Sequence, residues 1–421
     1  MERVIFHLDV NSAFLSWEAA YRIYHLGGRL DMRTIPAAIS GNKDSRQGII
    51  LAKSSPAKTY GIKTGMTISD ALKLCPHLYC APPNYDLYQK CSKAFMNLLR
   101  EYSDQVEPYS IDEAFVDMTK TWQLFGPSPF SVACQIKDHI YEVLGFTVNV
   151  GVSSNKLLAK MAGELKKPNH AETLFLPELK HKFWPLPVSK LFYVGRATTK
   201  KLAALGVSTI GELAQMDPLL LKQHLGKHGE IVGAFARGID NSPVITKAPA
   251  QKGYGNSTTI AFDVTKKEEA KLVLLALCET TAARLRADQV KIEVLSVGIK
   301  TYDLNYQSHQ MILPAPTNIT SELYHFSCLL FDELWDLLPI RQLGIHTSRI
   351  SDFRDARQLT LFDTTDYKKL ETFDSTVDLI RRRFGADSLK RSAFLNSSID
   401  HLSGGIAREK RSIDYTKEQI D

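Results

Sequence analysis

The chain opens with alternating apolar residues that predict a β-strand ending near Asp9. Apolar residues then recur at helical spacing over residues 15–26. The segments IPAAIS and GIILAKS predict a β-hairpin around the polar, turn-prone stretch GNKDSRQ. The stretch ISDALKLC predicts a short helix that follows this hairpin.

A second group of elements completes the predicted amino-terminal fold. Helices are predicted over residues 84–103 and 129–144, and EPYSIDEAFVDM between them predicts two short strands that meet at Ile111–Glu113. The strand FTVNVGVS and the helix NKLLAKMAGEL follow. The order strand–helix–strand–strand–helix–strand, with an insertion after the first helix, is typical of a ferredoxin-like sheet that carries a small subdomain.

The carboxyl-terminal part predicts a helical module and then a second α+β unit. Residues 180–240 are helical with Gly and Pro punctuation, and the unpatterned, Pro/Lys-rich residues 241–253 predict a linker. The predicted strands lie near residues 255–262, 292–302, 308–313 and 344–351, and the predicted helices near 267–287, 320–338 and 366–384.

The charge distribution changes this picture in one segment. The 421 residues include 52 basic and 46 acidic side chains, a formal net charge of +6. Nearly all of that surplus falls within residues 180–240, which indicates a local phosphate-binding surface rather than a generally basic protein. The six cysteines form no C-x-x-C pair, as expected for reduced thiols in the cytosol.

Three carboxylates are the candidate chemistry. Asp9 lies at the end of the first predicted strand, and Asp112 and Glu113 are adjacent within the apolar SIDEAFVD. Two carboxylates in such surroundings are costly unless a cation neutralises them. Taken alone, Asp112 and Glu113 could equally form an exposed hairpin turn. Three carboxylates on neighbouring strands instead favour two Mg²⁺ ions of the kind that catalyse phosphoryl transfer.

Five motifs together resemble the Y-family DNA polymerases, in the branch related to the bacterial SOS mutagenesis polymerase subunit. They are DVNSAF at 9–14, SIDEAFVD at 110–117, GVSSNKLLAKMAGELKKPNH at 151–170, a helix–hairpin–helix at 191–214 and QLTLF at 358–362. Each motif alone is weak, whereas the ordered set covers about 360 residues. The resemblance implies that Asp9 and Asp112 bridge two Mg²⁺ ions, with Glu113 and the carbonyl of Val10 as further ligands.

The resemblance also implies a nucleotide site. Phe14 falls at the steric-gate position, where an aromatic ring under the sugar excludes a 2′-hydroxyl. Lys167 matches the lysine that contacts the triphosphate, and Lys58 falls where arginine is more common. Asn11 replaces an acid, and Ser55 stands where most relatives have a phosphate-contacting tyrosine. These last departures put the affinity for the incoming nucleotide in question, but not the metal site.

Two further binding segments follow from the resemblance. In the helix–hairpin–helix, Gly195 is expected to supply the tight turn and Lys200 and Lys201 to face DNA phosphates, while Tyr193 replaces an earlier family glycine. The QLTLF segment resembles the peptide that binds the bacterial sliding clamp, and a strand end packed on its own domain is the alternative. Its expected clamp-binding residues are Gln358, Leu359, Leu361 and Phe362.

The predicted architecture is an α+β multidomain, right-hand polymerase with a ferredoxin-like palm, small fingers, a helix–hairpin–helix thumb and an α+β little finger. The expected boundaries are 1–17 and 76–175 for the palm, 18–75 for the fingers, 176–240 for the thumb, 241–253 for the linker, 254–356 for the little finger and 357–421 for the clamp motif and tail.

The predicted function is template-directed DNA synthesis past lesions, in DNA repair and the SOS response. Primer-template DNA, deoxynucleoside triphosphates, the sliding clamp and accessory SOS subunits or a recombinase filament are the expected partners. The cytoplasm is the expected location, because the sequence contains no predicted membrane span. A DNA- and clamp-binding regulator that synthesises little is the alternative, and a nucleotide cyclase is a third hypothesis.

Overall fold

A computed structural model of the chain describes residues 3–41, 48–247, 249–353, 357, 364–404, 413 and 415. The described residues divide into two compact units. The first unit contains residues 3–41, 49–247, 413 and 415, and the second contains residues 48, 249–353, 357 and 364–404. Each unit has its own hydrophobic core.

The first unit alternates strands and helices. Its strands are Ile5–Val10 (β1), Ala37–Ser40 (β2), Ile50–Lys53 (β3), Tyr79–Ala81 (β4), Val106–Pro108 (β5), Glu113–Asp117 (β6), Val148–Ser153 (β7) and Ala171–Thr173 (β8). Its α-helices are Ala13–Leu26 (α1), Ser55–Thr59 (α2), Ile68–Leu74 (α3), Tyr85–Leu99 (α4), Pro129–Leu144 (α5), Lys156–Leu165 (α6), Arg196–Ala204 (α7), Ile210–Gln215 (α8), Pro218–Leu225 (α9) and Lys227–Ala236 (α10).

The main sheet confirms the predicted ferredoxin-like topology. Its strand order is β5-β6-β1-β7-β8, and the central β1 pairs antiparallel with both β6 and β7. The sequence did not predict the edge strand β8, which pairs parallel with β7. Helices α1, α4 and α5 cover one face, where Trp17, Tyr88, Phe95 and Phe146 form an aromatic core.

A glycine contact fixes helix α6 on the other face of the sheet. A Cβ atom at Gly151 in β7 would lie 1.9 Å from the Ala159 carbonyl oxygen and 2.4 Å from the Gly163 amide nitrogen. Both obstacles are backbone atoms of α6, so rotation of a side chain cannot make room. The close approach therefore holds α6, and the loop that follows it, at a set height above β7.

Gly151→Ala is expected to destabilise the first unit by about 3 kcal/mol, since overpacking against backbone forces the helix away from the sheet. For a unit of this size, the unfolding midpoint should fall by roughly 5–10 °C in a thermal scan. Gly195→Ala is the matched control, because a Cβ there meets nothing within 4 Å. Equal midpoints for the two variants would contradict the packing argument.

The predicted hairpin is confirmed, and it belongs to a small separate sheet. Strands β2 and β3 pair antiparallel, and β4 joins β2 in parallel to give the order β3-β2-β4. The hairpin turn at 42–47 lies outside the described residues. Ala38, Ile50, Ile62 and Ile68 form the small core that supports this insertion.

The second unit is a four-stranded antiparallel sheet covered by helices. Its strands are Gly255–Val264 (β9), Val290–Thr301 (β10), Tyr306–Thr317 (β11) and Ile340–Asp352 (β12), in the order β11-β10-β12-β9. Its helices are Lys267–Ala287 (α11), Thr320–Leu334 (α12) and Tyr367–Phe384 (α13). These elements confirm the predicted α+β unit, with longer strands and a shorter α12 than the sequence pattern indicated.

The predicted linker contains neither helix nor strand in its described residues, 241–247 and 249–253. Its first part lies on the first unit. The Arg3 guanidinium donates to the Ser242 carbonyl at 3.2 Å, and the Ile245 amide donates to the Glu107 carboxylate at 2.7 Å. Across the described residues, the structure contains no helix that is both long and apolar enough for a membrane span.

Candidate active site

The β1–β6 pairing brings the three predicted carboxylates to one end of the main sheet. Asp9, next to last in β1, lies opposite Glu113, the first residue of β6. Asp112 lies in the turn just before β6, and its carbonyl accepts a hydrogen bond from the Val10 amide at 3.0 Å. The turn lets adjacent acids avoid the strict alternation of a strand, as the sequence argument required.

Each of these carboxylates has a polar partner in the described structure. The Lys167 ammonium lies 2.5 Å from the Asp9 carboxylate, and the Lys160 ammonium lies 2.6 Å from that of Glu113. The Ser110 hydroxyl donates to Asp112 at 2.6 Å. Among the described side chains, no three acids, histidines or cysteines lie close enough together to hold one metal ion. The acids share one end of the sheet, while lysines hold two of their side chains.

The electrostatics of Asp9 favour a cation beside it. Burial raises the pKa of its carboxyl group, the Lys167 charge opposes that rise, and the nearby charges of Glu113 and Asp112 add to it. The ammonium groups of Lys167 and Lys160 supply positive charge beside the Asp9 and Glu113 carboxylates. Hard carboxylate oxygens with a neighbouring backbone carbonyl at Val10 suit Mg²⁺, so the donor set fits the predicted ions.

An open pocket of about 290 Å³ lies beside these acids. It is lined by Asp9, Val10, Ser12, Ala13, Phe14, Leu51, Ala52, Lys53, Lys58, Thr64 and Asp112. Carboxylates lie on its sheet side and two lysines on the side of the small insertion. The pocket therefore has negative charge on one side, which suits metal ions, and positive charge on the other side, which suits a polyphosphate.

Phe14 contributes an aromatic wall that rests on buried rings. Ser12 adopts a left-handed conformation, φ 51°, at the turn from β1 into α1, and Phe14 is the second residue of that helix. Its ring stacks on Tyr88 with 4.5 Å between centroids and an interplanar angle of 6°. Tyr85 meets the Phe14 ring edge-on at 5.8 Å. Because Tyr88 is fully buried, Phe14 has little freedom to move away from the pocket.

Of the other four predicted nucleotide residues, two lie at the pocket and two do not. Lys58 lines the pocket, and Lys167 reaches its Asp9 edge. Asn11 instead donates to the Thr147 hydroxyl at 3.1 Å. Ser55, the exposed first residue of α2, is not among the residues lining the pocket.

The sequence pattern did not predict three polar residues near the acids, which are Lys53, Thr64 and Lys160. Lys53 lines the pocket and donates to the Thr64 hydroxyl at 3.1 Å. Burial and the charge of Lys58 lower the pKa of Lys53. Strand alternation in β3, with Ile50 buried and Lys53 on the other face, could have indicated it. Lys160, which holds Glu113, had no local signal because its partner lies 47 residues away.

The helical module confirms the predicted pair of helices but corrects the role of Gly195. Gly195 has φ −87° and ψ 179°, an ordinary extended conformation, and precedes α7 as its cap. The left-handed residue of the turn is Tyr193, with φ 73°. Its ring packs against Phe192 and Phe235, contacts that offset the cost of that conformation. Lys200 and Lys201 lie exposed on α7.

The predicted clamp motif at 358–362 lies outside the described residues. Arg357, just before it, forms a bidentate pair with Glu322 at 2.8 and 2.6 Å. Its guanidinium lies 3.5 Å from the centroid of the Tyr367 ring. The residue before the motif is therefore anchored on the second unit.

Three family models match the chain. They are the impB/mucB/samB family over residues 8–164, the IMS family HHH motif over 177–207 and the impB/mucB/samB C-terminal domain over 251–361. Together they match parts of both units, including the start of the helical module.

The chain is also similar to named relatives across nearly its whole length. It is 42% identical to a DNA polymerase IV of Clostridium acetobutylicum, a match covering 94% of this chain and 99% of the relative. It is 36% identical to a DNA polymerase IV of Acetivibrio thermocellus, over 94% and 98%. Among solved structures, a Y-family DNA polymerase chimera matches with a TM-score of 0.71 and 22% identity, covering 82% of this chain and 99% of the chimera. That structural likeness shows the fold.

Proposed function

Because this chain belongs to the impB/mucB/samB family and is a DNA-directed DNA polymerase of the Y family, we propose that it extends primers past damaged template bases with two Mg²⁺ ions. Asp9, Asp112 and Glu113 would hold those ions. The observation that carries the proposal is the meeting of these acids beside a pocket bounded by Phe14 and two lysines.

The residues have distinct roles in the proposed reaction. Asp9, Asp112, Glu113 and the Val10 carbonyl would hold the two ions. When bound, the ions would supply Lewis-acid activation of the primer 3′-hydroxyl and neutralisation of phosphate charge. Attack of that hydroxyl on the α-phosphorus forms the new ester bond and releases pyrophosphate. The protein positions the sugar and the triphosphate.

The polar residues on the insertion side orient the nucleotide. Lys53 and Lys58 would face the triphosphate from β3 and α2, respectively. Lys167 would exchange its Asp9 carboxylate for a phosphate oxygen, another charge-assisted partner. Phe14, stacked on Tyr88, excludes a sugar with a 2′-hydroxyl. Asn11 supports the turn before Phe14 through Thr147, and Ser55 leaves its position free of an aromatic phosphate contact.

We assign the palm to residues 1–17 and 76–175, the fingers to 18–75, the thumb to 176–240 and the little finger to 254–356. Besides most of α1, the fingers contain two strands of the small sheet, β2 and β3, and two short helices of five and seven residues. An insertion of that size encloses little of the nascent base pair. Low fidelity, low processivity and tolerance of damaged bases follow from this openness.

DNA and clamp binding would come from separate parts of the chain. The amides around Gly195 and the side chains of Lys200 and Lys201 would bind phosphates of the duplex without reading its sequence. The QLTLF segment at 358–362 would bind the sliding clamp and compensate for low processivity. A role in the SOS response follows from the resemblance to the mutagenesis branch.

The test is primer extension by the whole protein on an undamaged template and on a matched template with one abasic site. We expect Mg²⁺-dependent extension across both, with a few nucleotides added per binding event and no product in EDTA. Adding the sliding clamp should lengthen the products. Long, accurate products on undamaged DNA without the clamp, with a full stop at the abasic site, would contradict the lesion-bypass assignment.

Lys167→Ala should raise the KM for deoxynucleoside triphosphate about tenfold, because one charge-assisted hydrogen bond to phosphate is lost. We expect the rate at saturating nucleotide to change much less. Lys166→Ala is the matched control, since Lys166 pairs with Glu172 at 2.7 Å and not with Asp9, Asp112 or Glu113. Steady-state kinetics of single-nucleotide insertion check the prediction, and equal KM values for both variants would remove Lys167 from the nucleotide site.

A further inference from the structure

Helix α13 is attached to the second unit by its acidic side. Asp374 lies 3.1 Å from the Arg286 guanidinium and accepts a hydrogen bond from the Thr320 amide at 2.7 Å. Asp378 forms two hydrogen bonds with the same guanidinium, at 2.6 and 3.0 Å. Glu371 lies 3.5 Å from the Lys291 ammonium. Largely buried ion pairs therefore hold this acidic side of α13 against the second unit.

Near its carboxyl-terminal end the helix is secured by a further buried pair. Arg381 donates to Glu279 on α11 at 2.5 Å, and Arg391 binds the other oxygen of the same carboxylate. Glu279 is only 5% exposed. Burial alone would raise the pKa of its carboxyl group, but the hydrogen bonds and charges of Arg391 and Arg381 prevail and lower it. With its inward side fixed in this way, α13 cannot rotate without breaking these pairs.

The outward side of α13 carries large apolar side chains. Phe373, Leu379 and Phe384 are 54%, 60% and 67% exposed, and Ile380 is half-buried. Phe373, Ile380 and Phe384 follow one another at i, i+7 and i+11, which places them on one stripe of a helix. An apolar stripe at this spacing normally faces a core, so its position in solvent indicates a missing partner.

The exposed charged residues of α13 itself are all positive. Lys368, Lys369, Arg382 and Arg383 are exposed, whereas the three acids within the helix face inward. Within the described residues, none of these four basic side chains forms an ion pair, and Arg383 lies over the Phe384 ring at 5.2 Å. We use the term outer face of α13 for the four basic residues together with Phe373, Leu379, Ile380 and Phe384.

We propose that the outer face of α13 is a docking surface for an acidic amphipathic helix of a partner protein. An apolar stripe of one helix buries the stripe of another, and acidic flanks on the partner match the four bases. Two other occupants fit less well. A second copy of this chain would bring the same four bases and repel them. Nucleic acid would use the bases and could stack on phenylalanine, but would find no use for Leu379 and Ile380.

The test uses the full-length protein and a labelled 21-residue peptide with leucine at the a and d positions of three heptads and glutamate at e and g. The glutamates keep free peptides apart. We expect fluorescence anisotropy to give a Kd of about 50 µM at 50 mM salt and at least about fivefold weaker binding at 300 mM salt. A twin peptide with lysine in place of glutamate should bind at least about tenfold more weakly.

Variants locate the site and separate it from polymerase activity. Phe384→Ala, and Arg382→Glu together with Arg383→Glu, should each weaken peptide binding at least about tenfold. Tyr302→Ala removes an equally exposed aromatic ring elsewhere on the second unit, 55% exposed, and should leave binding unchanged. All variants should keep the wild-type melting temperature and primer-extension rate, because the altered side chains are exposed and distant in sequence from the catalytic acids.

Several results would overturn the inference. Binding of both peptides with the same affinity would show non-specific adhesion, and a peptide Kd above 1 mM would show that the face binds no such helix. Binding unchanged by Phe384→Ala would place the peptide elsewhere. If the Arg382 and Arg383 variant instead loses affinity for oligothymidine or for phosphatidylserine vesicles while peptide binding is unchanged, the face binds nucleic acid or membrane.

Discussion

Asp112→Ala is expected to reduce the rate of nucleotide addition by at least about 10³-fold, because one of the carboxylates proposed to hold the metal ions is lost. The residue lies in a turn where, among the residues that the structure describes, its side chain bonds only to Ser110, so folding should be unaffected. Affinity for primer-template should also remain, since the expected phosphate contacts lie in the helical module. Single-turnover insertion with excess enzyme measures the chemical step directly.

Asp138→Ala is the matched control for this experiment. Asp138 is a carboxylate on α5 whose side chain is 62% exposed and pairs with the neighbouring Lys137. Its removal should leave the insertion rate within about twofold of wild type. An Asp112→Ala enzyme that keeps more than a tenth of the rate, with Mg²⁺ still required, would mean that other residues hold the metals. If wild-type protein binds primer-template but adds nothing even with the clamp, the regulatory alternative gains ground.

Phe14→Ala is expected to reduce discrimination against ribonucleotides by about 100-fold, because the ring proposed to block the 2′-hydroxyl is removed. The stack on Tyr88 holds the Phe14 ring in place, so this side chain cannot easily move away from the pocket in the wild-type protein. Incorporation of deoxynucleotides should fall by less than tenfold, since the alanine retains the backbone of the turn. The ratio of kcat/KM for matched deoxy- and ribonucleotides is the measurement.

Tyr85→Ala serves as the control for lost aromatic packing. Its ring contacts Phe14 edge-on but does not line the pocket. The variant should lower stability without a comparable gain in ribonucleotide use. Equal loss of sugar discrimination in both variants would indicate that pocket rigidity, rather than the Phe14 ring itself, selects the sugar.

The sequence predicted most elements whose pattern is local. The helix over 267–287 matched, and the strand before Asp9 and the turn at Asp112 brought the acids together as expected. Residues distant in sequence decided what was missed. The pairing of Lys167 with Asp9 spans 158 residues and could not be read from either neighbourhood. The family likeness supplied the roles assigned to Phe14 and Lys167, which residue pattern alone leaves undecided.

Two departures from simple rules have identifiable causes. The apolar stripe of α13 predicts an inward-facing side, but Arg286 and Glu279 offer buried ionic partners that fix the opposite side inward. A turn in the helical module has its positive φ at Tyr193 rather than at Gly195, because flanking aromatic rings stabilise the tyrosine there. Both results depend on tertiary contacts that no local propensity contains.

The lysines beside the three acids bear on the order in which the proposed metal ions and the nucleotide bind. Lys167 pairs with Asp9 and Lys160 with Glu113, so a lone Mg²⁺ that used either of these carboxylates would have to displace an ammonium. A magnesium–nucleotide complex brings phosphates that can receive the displaced Lys167 in the same event. We therefore expect the metal to bind together with the nucleotide. The nucleotide-free enzyme should bind Mg²⁺ only weakly between turnovers.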